Sequence, residues 1–208
     1  LFAQTVGTLA VSVSTSSTGG NYAPRNIVAI WIEDSNGNYV KTLLAYADRR
    51  MTHLNNWETS SNAKGVKFDV TDAVTGATRS SHGTRTCTWN GTDYNKNLLA
   101  DGTYSLCMEL TDKNNTGNYS QFSFVKGANN EVTPSDVSSF SSISIKWEAT
   151  ATSILPEISG IDDVEIFPNP IKNVFRVEGE NIDEIEVWSI SGKFLLKNNY
   201  SKEIDLSN

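Results

Sequence analysis

The stretch Val28-Ala29-Ile30-Trp31-Ile32-Glu33-Asp34-Ser35-Asn36-Gly37-Asn38-Tyr39-Val40-Lys41-Thr42-Leu43-Leu44-Ala45-Tyr46 decides the fold class. Val28, Ile30 and Ile32 alternate with Ala29 and Trp31, the period of two that gives a strand two distinct faces. Val40–Tyr46 is a second apolar run. Asn36-Gly37 between the two is a strong hairpin signal, because tight hairpin turns need residues that tolerate positive φ. The stretch therefore reads as two antiparallel neighbours, each with at least one buried face.

Working outward, Leu9, Val11 and Val13 share one face of an earlier strand. Val66–Val70, Thr84–Trp89, Thr103–Thr111, Tyr119–Val125 and Ser142–Thr150 are further candidates, most of them separated by polar connections bearing Gly or Asn. Many short strands at modest spacing predict an all-β sandwich or barrel. Met51–Thr59 is the one helical candidate, with Leu54 and Trp57 at i and i+3 giving it an apolar edge. Gly127–Ser139 is polar and holds Pro134, so it is either a long loop or the edge of the first domain. Ser153–Asp163, with Pro156 and Gly160, is the better boundary: residues 5–153 form the main domain, 154–162 a linker and 163–208 a tail. The tail carries β-like runs at Val164–Phe167, Val174–Val177, Ile182–Ile190 and Phe194–Leu196, and is smaller than most domains that fold alone.

Composition narrows the function classes. The chain has 208 residues and a formal net charge of −7, with 38% hydrophobic and 10% aromatic residues. That apolar content supports a core, and the acidic balance disfavours nucleic acid unless a basic patch is hidden within it. Mean hydropathy is −0.34, and no apolar run approaches the roughly 18 residues of a spanning helix. Leu1-Phe2-Ala3-Gln4 reads as the remnant of a secretory signal, residues 1–4, with the mature chain starting near Gln4; an arbitrary boundary is the alternative. Cys87 and Cys107 are too few for a disulfide framework or a four-cysteine zinc site. They lie in strands flanking one connection, which leaves open a single cross-strand disulfide or two buried thiols.

Two resemblances extend this reading. Phe167-Pro168-Asn169-Pro170, Ile185-Glu186-Val187-Trp188, Ser189-Ile190-Ser191-Gly192-Lys193 and Ile204-Asp205-Leu206-Ser207 resemble, in order and spacing, the C-terminal sorting domain of the Bacteroidetes type IX (Por) secretion system. Pro-Asn-Pro also makes sense as a rigid turn entering a strand, and Ser191-Gly192 as a hairpin. The resemblance implies a small β-sandwich handled by the type IX machinery, with surface display or release from a Gram-negative bacterium after transit through the periplasm. The family's last strand, bearing Gly and aromatic residues, would follow Asn208, so the tail is expected to be truncated. Residues from about Thr8 to Val125 resemble a family of predicted periplasmic proteins with an immunoglobulin-like fold. That match is carried by Val28–Asp34, Val40–Leu43, Leu54 with Trp57, Asp72–Thr78, Trp89–Asp93 and Asp101–Tyr104, and its second half also resembles the immunoglobulin-like domain of flagellar hook-capping proteins.

Asp72-Ala73-Val74-Thr75-Gly76-Ala77-Thr78 is the most suggestive string. It resembles the flavinylation motif of bacterial FMN-carrying proteins, in which Asp, two variable residues and Ser/Thr-Gly-Ala-Thr end in the hydroxyl that carries FMN through its phosphate. That resemblance assigns Asp72, Thr75, Gly76, Ala77 and Thr78 to the motif and Thr78 to attachment. A small Gly-Ala pair lets a transferase approach the backbone. The blander reading is a loop whose Thr75 and Thr78 hydroxyls make local hydrogen bonds.

Other constellations are weaker. Asp93-Tyr94-Asn95-Lys96-Asn97 with Asp101 alternates oxygen ligands like a calcium loop but has Leu98 and Tyr104 where an EF-hand needs Gly and Glu. His53 and His82 have no metal-ligand spacing, and no Gly-x-Ser-x-Gly elbow accompanies them. Trp31, Trp57, Trp89 and Tyr104 fit either a ligand groove or a core. The expectation is thus a non-catalytic secreted or cell-surface module that binds an unknown surface ligand or protein. The alternative is an extracytoplasmic redox carrier with covalent FMN at Thr78.

Overall fold

The computed structural model describes residues 3–150, 165–167, 174–178, 182–189, 194–199 and 203–205. Its first compact unit spans residues 1–151 and its second 152–208. The first unit contains β1 (Gly7–Thr15), β2 (Ile27–Asp34), β3 (Tyr39–Tyr46), α1 (Asn55–Ala63), β4 (Val74–Gly76), β5 (Gly83–Trp89), β6 (Gly102–Thr111), β7 (Asn118–Lys126), β8 (Asn130–Val132) and β9 (Phe140–Ala149). One sheet has the order β5-β1-β9-β8 and the other β4-β3-β2-β6-β7. Every pairing is antiparallel except the short β4, which runs parallel to β3. The result is an all-β sandwich.

The predicted hairpin joins β2 and β3, paired from Val28↔Tyr46 to Glu33↔Tyr39 with register shifts after Ile30 and after Ile32. In its turn the Gly37 amide donates to the Asp34 carbonyl at 3.0 Å. Gly37 sits at φ 77°, a conformation glycine adopts without the steric cost other residues meet.

Period-two alternation then sorts the side chains. Leu9, Val11 and Val13 of β1 meet Val28, Ile30 and Ile32 of β2 between the sheets. At one end of this core the Trp89 ring lies 5.3 Å from Tyr104 and 5.9 Å from Trp147, centroid to centroid. The opposite face of β2 is buried as well. Ala29 and Trp31 pack with Leu54, Trp57 and Cys107 in a second cluster, against which Met51, Val66 and Phe68 are half-buried. The chain from 48 to 69 thus folds back as a cover over the five-stranded sheet. It consists of a 3-10 turn, Asp48–His53, then α1 and an irregular return. Glu109 of β6, fully buried, holds this cover in place by accepting the backbone amides of Asn56 and Trp57 at 2.9 and 3.0 Å. A carboxylate at the amino end of a helix satisfies donors that have no partner within the helix.

Four expectations need correcting or refining. Val66–Val70 is not a strand: Phe68 takes a left-handed φ of 56°, and its amide donates to the Ser61 hydroxyl at 3.0 Å. Gly127–Ser139 belongs to the sandwich edge, since β8 within it pairs with β9. Cys87 and Cys107 are free rather than bridged. Their strands belong to different sheets, with Cys87 between the sheets and Cys107 in the second cluster, so the flanked connection does not bring the thiols together. Trp31, Trp57, Trp89 and Tyr104 do not line a common groove: the first two lie on one side of the five-stranded sheet and the other two on its opposite side.

The second unit contains β10 (Glu165–Phe167), β11 (Val174–Glu178), β12 (Glu184–Trp188), β13 (Phe194–Asn199) and β14 (Glu203–Asp205). They form the sheets β10-β11-β14 and β12-β13. Phe175, Val177 and Ile204 make its core, with Ile185, Val187 and Leu196 packed against them. The 154–162 linker, the Pro168-Asn169-Pro170 turn and the Ser191-Gly192 turn lie outside the described residues.

Candidate functional site at Thr78

Lys41 on β3 points its almost fully buried side chain at the start of the Asp72–Thr78 string, with Nζ 3.0 Å from Asp72 Oδ2. The hydrogen bond and charge of Lys41 hold the exposed Asp72 carboxyl below the usual range. From there Val74–Gly76 runs along the sheet edge, with Leu44↔Val74, Ala45↔Thr75 and Tyr46↔Gly76 as partners. A side chain at Gly76 would come within 2.9 Å of the Tyr46 ring, so the glycine is what lets the edge strand lie on Tyr46. Beyond the motif, Arg79 exchanges backbone hydrogen bonds with Asn26 at 3.0 and 2.9 Å. Its guanidinium sits 4.7 Å above the Tyr46 ring. Ala77 and Thr78 are therefore an exposed link held by backbone pairing on both sides.

Thr78 borders a cleft of about 390 Å³ lined by Tyr22, Arg25, Asn26, Arg50, Arg79 and Lys113 among others. Arg25, Arg50, Arg79 and Lys113 converge there from separate segments. Arg50 stacks 5.0 Å over the Tyr22 ring. Asn26 is almost completely buried; its Nδ2 donates to the Pro24 carbonyl at 3.0 Å, while Oδ1 has no hydrogen-bond partner. Such a group carries a desolvation cost that a ligand donor would relieve. The buried Asp112 carboxylate, also in the lining, is already committed: it accepts from the Ser17 hydroxyl at 2.5 Å, the Thr18 hydroxyl, the Thr18 amide at 3.1 Å and the Gly20 amide at 2.9 Å. His82 Nε2 lies 3.8 Å from Asp112. Burial pushes His82 below its ordinary pKa, with Asp112 opposing that shift.

A second cleft, about 370 Å³, lies against the same segment and is mostly apolar, with Asp48 also in its lining. Ala45, Met51, Trp57, Phe68 and Val70 line it with Thr75, Gly76 and Ala77. Arg50 and Met51, adjacent in the 3-10 turn, face the cationic and the apolar cleft respectively.

The structure thus brings Asp72, Thr75, Gly76, Ala77 and Thr78 together on one exposed edge. Sequence reasoning missed the cations around Thr78, of which only Arg79 adjoins the motif. The calcium-like loop has its Asp93 carboxylate occupied by the amides of Asn95 and Asn97 at 2.8 and 2.9 Å. Among the described residues, no group of three or more His, Cys, Asp or Glu side chains could hold a metal ion, and no helix is long and apolar enough to cross a membrane.

This architecture is that of a two-sheet β-sandwich with one helical cover, followed by a small β-rich tail. The chain belongs to the family described as Predicted periplasmic protein (DUF2271), whose model matches residues 8–137. A second model, the secretion system C-terminal sorting domain, matches residues 165–208. The tail is a type IX sorting signal, which marks the chain for the surface or exterior of a Gram-negative bacterium. No curated protein and no solved structure matches the chain.

Proposed function

We propose that the exported chain is a non-catalytic binding module and that its ligand site is the cleft beside Thr78, which takes a small anion. The observation that carries this reading is the convergence of Arg25, Arg50, Arg79 and Lys113 on one cleft of a chain whose net charge is −7. Like charges gathered against the overall balance focus the local field on small anions while the remaining surface repels long polyanions. Arginine's planar fork suits phosphate and carboxylate, and the unpartnered Asn26 Oδ1 favours a ligand with a hydroxyl or amine to donate. Calorimetric titration with inorganic phosphate and with a sugar phosphate tests it. The expected result is saturable binding, stronger for the sugar phosphate and weakened at least about tenfold by Arg25→Ala with Arg79→Ala, equivalent to 1.4 kcal/mol or more. Equal, non-saturating heats for wild type and variant would remove the reading.

A second reading is favoured by the exposure of Thr78 between two backbone anchors at the mouth of that cleft. Thr78 carries FMN as a phosphoester, and the module is a redox carrier. Attachment joins the Thr78 oxygen to the flavin-side phosphorus of flavin adenine dinucleotide, breaks the phosphoanhydride, and releases AMP and the hydroxyl proton. Arg25 and Arg79 would then face the remaining charge of the phosphodiester. Co-expression with a flavin transferase, followed by intact-mass measurement after denaturation, should show one FMN per chain. Thr78→Ala should abolish the adduct, while Ser80→Ala and Ser81→Ala keep it. An unmodified wild-type mass leaves the non-covalent anion site standing alone.

A further inference from the structure

We infer that His82 regulates the cleft beside Thr78: on taking up a proton it offsets the Asp112 charge in the cleft wall and tightens the hold on a small anion. The inference rests on the anion-site reading and adds to it a control by pH. Among the described residues that line the cleft, Asp112 is the one acid set against Arg25, Arg50, Arg79 and Lys113. Its side chain is completely buried, and the donors it accepts, from Ser17, Thr18 and Gly20, are all neutral. Neutral donors stabilise a carboxylate without removing its charge. An anion entering the cleft therefore meets a fixed negative charge as well as the cations.

His82 is the group placed to cancel that charge. Its Nε2 lies 3.8 Å from Asp112 Oδ2, and neither ring nitrogen has a hydrogen-bond partner. The chain on both sides of it is anchored. Arg79, three residues earlier, exchanges backbone hydrogen bonds with Asn26, and the buried Arg85, three residues later, donates from Nη2 to the Ser81 carbonyl at 2.7 Å. The charged groups facing the imidazole are Asp112 and Arg85. Burial holds the ring below its ordinary pKa, Asp112 opposes that shift and Arg85 adds to it, so at neutral pH the ring is uncharged and the Asp112 charge stands. A bound anion favours the imidazolium. Binding then takes up a proton, and by linkage the affinity rises as pH falls through the His82 titration.

Inorganic sulfate is the probe, because it keeps its charge between about pH 5 and pH 8, the range in which histidine titrates, whereas phosphate changes charge within it. Calorimetric titration of the full chain at constant ionic strength should give binding at least about threefold tighter at the acid end, equivalent to an upward shift of about half a pH unit in the His82 titration. His82→Gln should remove the difference between the two pH values. His53→Gln, at the other histidine, should keep it. Proton NMR of the two imidazoles reads the same coupling in the wild-type chain, with His53→Gln assigning the signals: saturating sulfate should raise the His82 titration, and by more than that of His53. Equal affinity at both pH values, a pH dependence undiminished in His82→Gln, or a His82 titration unmoved by sulfate overturns the coupling while the anion site stands. A chain that binds sulfate at neither pH removes the anion site and its regulation together.

Discussion

Asp93 repeats, in the loop after β5, the turn that Asp34 makes between β2 and β3. Each aspartate accepts the amides two and four residues ahead, at 2.8 and 2.9 Å in both loops. The fourth position is left-handed in each, Gly37 at φ 77° and Lys96 at φ 70°. The shared Asp-x-Asn-x-Asn spelling therefore encodes a self-capped turn, and the carboxylate is spent on it.

The first prediction follows from the unequal fourth positions. A non-glycine residue in the left-handed region costs about 1 kcal/mol or more, so Lys96→Gly should stabilise the sandwich by up to about that amount and Gly37→Lys should destabilise it similarly. The exposed Lys96–Asp72 pair, 3.6 Å apart, offsets little of the gain. Urea midpoints measure both, and a loss of stability in Lys96→Gly would contradict the shared geometry.

Two acidic groups should leave pH signatures of opposite sign. Burial pushes the Asp101 carboxyl up, but the hydrogen bonds from Lys126 and Thr5 outweigh it and hold it at about 2. The ordinary value is about 3.9. Its contribution is thus complete above about pH 4 and lost as pH falls toward 2. Burial raises the Glu109 carboxyl against the hydrogen bonds of the α1 amides. The folded state therefore binds that proton more tightly, and stability declines as pH rises through the carboxylate range. Denaturation series across acid pH should show Asp101→Asn flattening the acid limb and Glu109→Gln removing the opposing slope. Identical pH profiles in wild type and both variants would refute the assignment.

Lys126 supplies a magnitude. Its side chain is fully buried and its Nζ reaches Asp101 Oδ1 and the Thr5 carbonyl, each at 2.8 Å. Removing one partner of a buried pair leaves a stranded charge, so Asp101→Ala should cost about 3 kcal/mol. Lys126→Met keeps the volume without the charge and should cost less. Chemical denaturation ranks the two, and the reverse order would show the ion pair to be incidental.

The thiols should be inert in the folded protein. Burial pushes Cys87 up to about 12 and raises Cys107 too, and thiolate is the reactive form. Iodoacetamide should modify neither cysteine in native buffer and both after denaturation without reductant. A single disulfide by intact mass would mean the two sheets are arranged differently.

Limited proteolysis should cut first between Ser153 and Asp163, where the sequence holds Pro156 and Gly160 and passes from the first compact unit into the second. Segments that join two domains are preferred sites of nicking. Early cleavage within Val28–Tyr46 would be incompatible with a strand buried on both faces.

Period-two alternation was enough to put Leu9, Val11 and Val13 on one face of a strand and Val28, Ile30 and Ile32 on one face of the next, and Asn36-Gly37 to specify the hairpin, because these are local properties of backbone and side-chain direction. The Asp72–Thr78 string was readable for the same reason. Tertiary structure alone decided what lies across from each element. It placed Val66 and Phe68 in a cover over Trp31 instead of a strand, since burying Trp57 outweighs the local β preference of that run. It set Cys87 and Cys107 in separate layers, because sheet assignment depends on long-range pairing that spacing does not encode. It also drew Arg25, Arg50, Arg79 and Lys113 around Thr78: electrostatic clusters form from residues distant in sequence once the loops at one edge of a sandwich are brought together.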